Sequence, residues 1–202
     1  MSQQANIPGD ELSPLGERLR FRRQQLKLTL KEVALGSGLS VGFISQIERG
    51  ITSPSLSSLV SVARVLRMEV GEFLAQPKPD GPLTRHHERP VYAVSPNSLS
   101  YERISSSFEG SVLRSVIIHE PPGHRSEPIA HEGEEMFYVL EGSVTVEVAG
   151  ERNVLEAGDS LHFQSTKIHS SWNHRDTPAT ILWVGTMDVF GEKERGREED
   201  GA

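Results

Sequence analysis

The sequence contains no cysteine. That excludes a disulfide framework and any thiolate metal site, so a metal would have to be held by His, Asp and Glu. It also lacks any apolar run approaching the roughly 18 residues needed to span a membrane. The opening stretch MSQQANIPGDELSP has neither the basic start nor the apolar middle of a secretory signal, so the expected location is cytoplasmic. What is present is unexceptional in bulk. A hydrophobic content of 36% and a charged content of 24% allow cores of modest size. At 202 residues the chain fits one large or two small domains.

The net charge of −7 is unevenly spread. Residues 11–76 hold nine Lys and Arg against six Asp and Glu, a balance of +3, whereas residues 77–202 hold twelve against twenty-one, a balance of −9. A basic front and an acidic back suggest two domains with different partners. Between them, Gln76–Pro82 reads QPKPDGP, and its prolines exclude both a continuous helix and a central strand. The expected organisation is a disordered stretch at 1–10, a domain at 11–75, a linker at 76–90, a second domain at 91–190 with its core at 105–187, and a disordered acidic tail at 191–202.

The front domain has helical patterning. Residues 14–27 place Leu15, Leu19 and Leu26 near one face. Thr29-Leu-Lys-Glu32 forms a capping box that opens a short helix closed by Gly38. Ser40 caps the next helix, which runs to Gly50, and Ser55 caps a fourth with Leu56, Leu59, Val60, Ala63 and Leu66 on one stripe. A last turn near Val70–Leu74 brings the expectation to about five helices. After the linker the pattern changes to short β-branched runs at 112–118, 136–141, 143–148, 160–163 and 179–186. Glycine turns separate them, as in a sandwich or small barrel.

Within Thr29–Gly50, Ala34, Gly38 and Ile44 supply a small residue at the helix contact, a glycine at the turn and an apolar anchor in the second helix. The line TLKEVALGSGLSVGFISQIERG resembles the phage-repressor-like (XRE-type) helix-turn-helix family over about residues 13–75. That resemblance implies a double-stranded DNA operator as partner. It implies a recognition helix beginning at Ser40, with Val41, Gly42, Ser45 and Gln46 facing base edges in the major groove. Gln46 can pair bidentately with adenine, and Val41 can meet a thymine methyl. Thr29, Lys31 and Arg49 join the expected interface, and Arg18, Arg20, Arg22 and Lys27 are further phosphate candidates. Arg23 and Glu48 are expected to form a structural ion pair. Ile44, Ile47 and Phe43 are assigned to the core.

Residues 123–142 read GHRSEPIAHEGEEMFYVLEG and resemble the first cupin motif at Gly123, His131, Glu135 and Gly142. The second cupin motif is matched by Gly158-Asp159, His169 and Asn173, with Glu156 where a proline is usual. The implied fold is an all-β cupin (double-stranded β-helix or jelly-roll) barrel following an all-α reader. Cupin metals normally sit on three histidines and a glutamate, and here the first histidine position is Ile129. His131, Glu135 and His169 remain, a set able to hold a divalent metal such as Fe, Zn, Mn or Ni. The hydroxypropylphosphonate epoxidase, which also joins a repressor-like helical domain to a cupin, uses such a set, so an Fe(II) oxygenase is the competing reading.

Regulators that join an XRE-type reader to a cupin, such as the putrescine-utilisation repressor type, often carry the same HEGEE run followed by an apolar strand and LEG. This resemblance implies a pocket of His131, Glu135, Tyr138, His169 and Trp172 around a small effector, an amine or amino acid. Which residues of 136–140 face inward depends on register. Of the other histidines, His119, His124, His162 and His174 read as ordinary surface or strand residues, and His86-His87, next to the linker, as exposed. The resulting expectation is a non-enzymatic regulator acting as a repressor, a homodimer on a pseudo-palindromic site, with no membrane partner.

Overall fold

The computed structural model describes residues 15–68, 81–93 and 98–191. The expected turn at Val70–Leu74, most of the Gln76–Pro82 linker and both chain ends lie outside the described residues. The front of the chain is helical: α1 (Leu15–Gln25), α2 (Leu30–Ser37), α3 (Val41–Glu48) and α4 (Leu56–Val65). Four α-helices are therefore described where about five were expected, and the remaining expected turn lies outside the described residues.

Local sequence sets where each helix begins. At α2 the capping box closes in both directions: the Glu32 N–H donates to Thr29 Oγ1 at 3.2 Å, and the Thr29 N–H donates to Glu32 Oε2 at 2.7 Å. Ser40 Oγ accepts from the Phe43 N–H at 3.1 Å to start α3, and Ser55 Oγ accepts from the Ser58 N–H at 3.2 Å to start α4. Each side-chain oxygen satisfies a backbone donor that has no partner inside the helix. Gly38 ends α2 with φ of 72°, in the left-handed region that favours glycine. Gly16 is required by proximity, since a Cβ there would lie 2.3 Å from the Ile47 carbonyl oxygen, where α1 crosses the end of α3.

Among the described residues, the back of the chain forms nine strands: β1 (Val91–Ala93), β2 (Ser100–Arg103), β3 (Arg114–Glu120), β4 (Glu134–Glu141), β5 (Ser143–Val148), β6 (Glu151–Glu156), β7 (Ser160–Gln164), β8 (His169–Trp172) and β9 (Ala179–Gly185). They build a six-stranded sheet in the order β1-β2-β3-β9-β4-β7 and a three-stranded sheet in the order β6-β5-β8, and all pairings are antiparallel. Inward residues of both sheets, among them Val116, Phe137, Val144, Val146, Ile181 and Trp183, share one hydrophobic core. Polar strands such as β8, with the sequence HSSW, escaped the sequence reading because their residues carry no apolar alternation.

One helix belongs to both cores. On α4, Leu56, Leu59 and Ala63 pack with the core between the sheets, whereas Val62 and the adjoining Leu66 pack with Leu19, Val33, Ile44 and Ile47 of the helical core. The single stripe expected on this helix is therefore two faces, turned to two different domains.

Candidate functional site

Two sites stand out, one in each domain. On α3, Phe43, Ile44 and Ile47 are buried and fix the helix against its neighbours. That leaves Ser40, Val41, Gly42 and Gln46 exposed and Ser45 half-buried along the opposite face, with Thr29, Lys31 and Arg49 exposed nearby in sequence. Arg23 and Glu48 form a bidentate pair, Nε to Oε1 at 2.6 Å and Nη2 to Oε2 at 2.8 Å. Arg23 Nη1 also donates to the Leu28 carbonyl at 3.0 Å, so the pair ties α1, the turn after it and α3 together. Against burial, its hydrogen bond to Glu48 raises the Arg23 pKa. Arg22, a phosphate candidate from sequence, donates instead to the carbonyls of Leu66 at 3.1 Å and Arg67 at 3.3 Å, where it caps the end of α4.

The second site is assembled from the start of β4, the segment before it, and β8. Strand alternation on β4 turns Glu135, Phe137 and Val139 inward and leaves Tyr138 and Leu140 outward. His169 heads β8, where its backbone pairs in both directions with Ile129, His169 N–H to Ile129 O at 2.9 Å and Ile129 N–H to His169 O at 3.0 Å. His131 is held by its own N–H donating to the Ser165 carbonyl at 2.9 Å. The ligand atoms of His131, Glu135 and His169 consequently lie within 4.8 Å of one another. His131 Nε2 stands 2.8 Å from Glu135 Oε1, and His169 Nε2 stands 3.6 Å from Glu135 Oε2.

Three features suit this cluster to a cation. Both imidazoles use Nδ1 against a backbone carbonyl, His131 to Glu132 O at 3.1 Å and His169 to Lys167 O at 2.9 Å. A carbonyl only accepts, so Nδ1 carries the proton and each Nε2 is free to offer a lone pair to the centre. His131 Nε2, Glu135 Oε1 and His169 Nε2 are all buried without a hydrogen bond of acceptable geometry. Buried polar atoms left in that state cost about 1–3 kcal/mol each, so a proton or a metal ion shared among them is strongly favoured. Burial opposes charging of His131, but the Glu135 carboxylate 2.8 Å from its Nε2 outweighs it and raises the His131 pKa above its ordinary value.

Glu135 and His169 also border a cavity lined by Phe137, Val146 and Trp183 and by Tyr101, Glu120 and His124. Sequence reasoning missed the last three. Tyr101 sits on a strand without apolar alternation, while the His124 side chain is only 10% exposed and pairs through Nδ1 with Glu120 at 2.9 Å. Its one available signal was the i, i+4 spacing of Glu120 and His124, the same spacing that drew notice at His131 and Glu135.

Two pocket expectations are corrected. Tyr138 lies on the outer face of β4, because the inward set is the odd-numbered one. Trp172 does not border the cavity; its ring stacks with the Arg125 guanidinium 4.3 Å from its centroid. Ile129, in the position of the missing histidine, is 4% exposed, borders the cavity and packs with the helical core. Asn173 is buried and structural, donating to the carbonyls of Glu120 at 3.3 Å and Thr177 at 2.8 Å. No helix among the described residues is long and apolar enough to cross a membrane.

Comparison with known proteins agrees with both halves. A helix-turn-helix model matches residues 19–73 and a cupin-domain model matches residues 116–185. The HTH-type transcriptional regulator PuuR of Escherichia coli (strain K12) is 30% identical over 192 residues, which cover 94% of this chain and 100% of that one. A crystal structure of an HTH_3 family transcriptional regulator from Vibrio cholerae shares the fold, with a TM-score of 0.53 at 24% identity over 86% of this chain and 95% of the other. The structure of hydroxypropylphosphonic acid epoxidase from S. wedmorenis, at 20% identity over 84% of this chain and 95% of that one, has a TM-score of 0.44, which carries no argument for either function.

Proposed function

The chain belongs to the family of helix-turn-helix transcriptional regulators with a cupin domain, and from that premise we propose that its cupin cavity senses a small metabolite and governs operator binding. It is a DNA-binding regulator; the sensing role, the repressing sense and the roles of single residues are the reading developed here. The proposed domain limits are those of the sequence, 11–75 for the reader, 76–90 for the linker and 91–190 for the cupin domain, with a cytoplasmic location.

The reader offers Gln46 to adenine N6 and N7 and Val41 to a thymine methyl, while Gly42 lets the backbone approach closely. Ser40 uses its oxygen as the cap of α3, which leaves its O–H to donate to a phosphate. Thr29, Lys31 and Arg49 would meet the backbone of the duplex, and each phosphate neutralised steepens the salt dependence of binding. One recognition helix touches few base pairs, so a homodimer on two half-sites is the assembly this reader calls for.

The observation that carries the sensing role is the set of buried, unsatisfied atoms on His131, Glu135 and His169 beside a cavity with apolar walls. These three residues would hold a divalent metal, leaving coordination positions for oxygen or nitrogen groups of an effector. Without a metal, Glu135 would receive a cationic group directly, which favours an amine or amino acid. A thermal-shift screen of amines, amino acids and sugars, repeated on Glu135→Gln, tests this. A compound that stabilises the parent chain and not the variant supports it; a screen without any such compound rejects it.

The same two-histidine, one-carboxylate set favours a second reading, a non-haem Fe(II) oxygenase with an accessory reader. Stoichiometric iron in the purified protein, oxygen consumption and no binding to the promoter next to its own gene would establish that reading instead.

A further inference from the structure

We propose that the first turn of α4 is a plug seated in the mouth of the cupin cavity, so that opening the cavity and moving the reading domain are one event. The inference rests on the sensing role proposed above and assigns its route to DNA: a direct contact, where the proline-rich linker would otherwise have to carry the signal.

Ser55, Leu56 and Ser57 border the cavity together with Tyr101, Glu120 and His124. Leu56 is 6% exposed and packs, with Leu59 and Ala63, into the core between the sheets. The other face of α4 carries Val62 into the core beneath α3. A rigid helix of nearly three turns with one face in each core transmits any displacement at its first turn to the reading helix. Ile129 closes the contact from the other side, because it borders the cavity and packs with the reader core.

The seat is also imperfect in a way that a ligand can exploit. Tyr101 Oη, fully buried, and His124 Nε2 have no hydrogen-bond partner. The Leu56 backbone N–H lies against the Tyr101 hydroxyl without reaching hydrogen-bond geometry. Burial pushes the Tyr101 pKa well up, so its hydroxyl keeps its proton and can donate. An apolar leucine over two unsatisfied polar atoms is a poor occupant. A small molecule bringing an oxygen or nitrogen group to Tyr101 and His124 satisfies what Leu56 leaves bare, and it takes the space of the plug.

The absence of native cysteine makes the test clean. Full-length Ser57→Cys/Ser126→Cys places one thiol on the plug and one on the cavity wall. Treated in dilute solution with a short bis-maleimide, it is expected to crosslink within one chain. The locked protein should then differ from the same variant capped with a mono-maleimide by roughly fivefold or more in Kd for the promoter fragment next to its own gene. Absence of the crosslink, or equal affinities, overturns the proposal.

As a second measurement, Leu56→Asp puts an acid in the first turn of α4, which suits the helix but not the cavity. In a Trp172→Phe background, whose only tryptophan is Trp183, acrylamide quenching should rise severalfold at unchanged circular dichroism. Unchanged quenching sinks the plug. A plug that passes both tests while no compound in the metabolite screen binds removes the sensing role alone.

Discussion

Two buried clusters of charged side chains, one in each domain, are built in opposite ways. In the reader, Arg23 and Glu48 close on each other through two hydrogen bonds and a third goes to the Leu28 carbonyl. In the cupin domain, His131, Glu135 and His169 approach as closely as 2.8 Å, yet three of their buried atoms make no hydrogen bond. A closed pair binds nothing further and holds helices together. An open set asks for an ion or a ligand. The two clusters differ in the degree of polar satisfaction more than in burial or charge, and it is the unsatisfied one that is proposed as the functional site.

That contrast can be broken first at the closed pair. Arg23→Ala strands the buried Glu48 carboxylate and should cost about 3–5 kcal/mol in urea unfolding. Replacing both partners by methionine should restore much of that loss, whereas additive losses would deny that the pair acts as a unit. Gln46→Ala comes next: it should leave stability unchanged and weaken promoter binding by about 1–3 kcal/mol, mainly at one base position. A uniform loss across sequences would make Gln46 a phosphate contact instead.

At the open set the expected stability effect is smaller and depends on pH. Glu135 raises the folded His131 pKa, so its contribution is fully present below the unfolded value of about 6.5 and is lost as pH rises through the folded pKa. Glu135→Gln should therefore lose the most, relative to the parent chain, below about pH 6.5, and the gap should narrow at higher pH. NMR titration of His131 would show its pKa falling in the variant; an unmoved titration would contradict the coupling. The smallest effect is expected of Trp172→Phe, which lies outside the cavity: metabolite response and promoter affinity should both stay at the parent values.

The reader was legible in the sequence almost to the residue, because its signals are local. Capping by Thr29, Ser40 and Ser55, the left-handed Gly38 and the buried spacing of Ile44 and Ile47 each involve neighbours a few positions apart. In the cupin domain, the cluster of His131, Glu135 and His169 was legible because the motifs name those residues, and two of them, Glu135 and His169, border the cavity. Tyr138 was misplaced because one step of register reverses a strand's faces. Tyr101 was missed because only the pairing of its strand with β3 brings it to the cavity, and Glu120 with His124 offered no more than their i, i+4 spacing. The two-faced α4 was read as one stripe because its second partner is a distant domain.

The central claim is that the open set is a binding site coupled to DNA. Its most direct test is the anisotropy of a labelled fragment of the protein's own promoter, titrated with the parent chain and with Glu135→Gln, each with and without a compound that shifts the parent's melting temperature. The expected result is equal affinity of the two proteins in the compound's absence and a compound-induced change in Kd for the parent chain alone. An identical compound response in both, or no promoter binding by either, would contradict the claim.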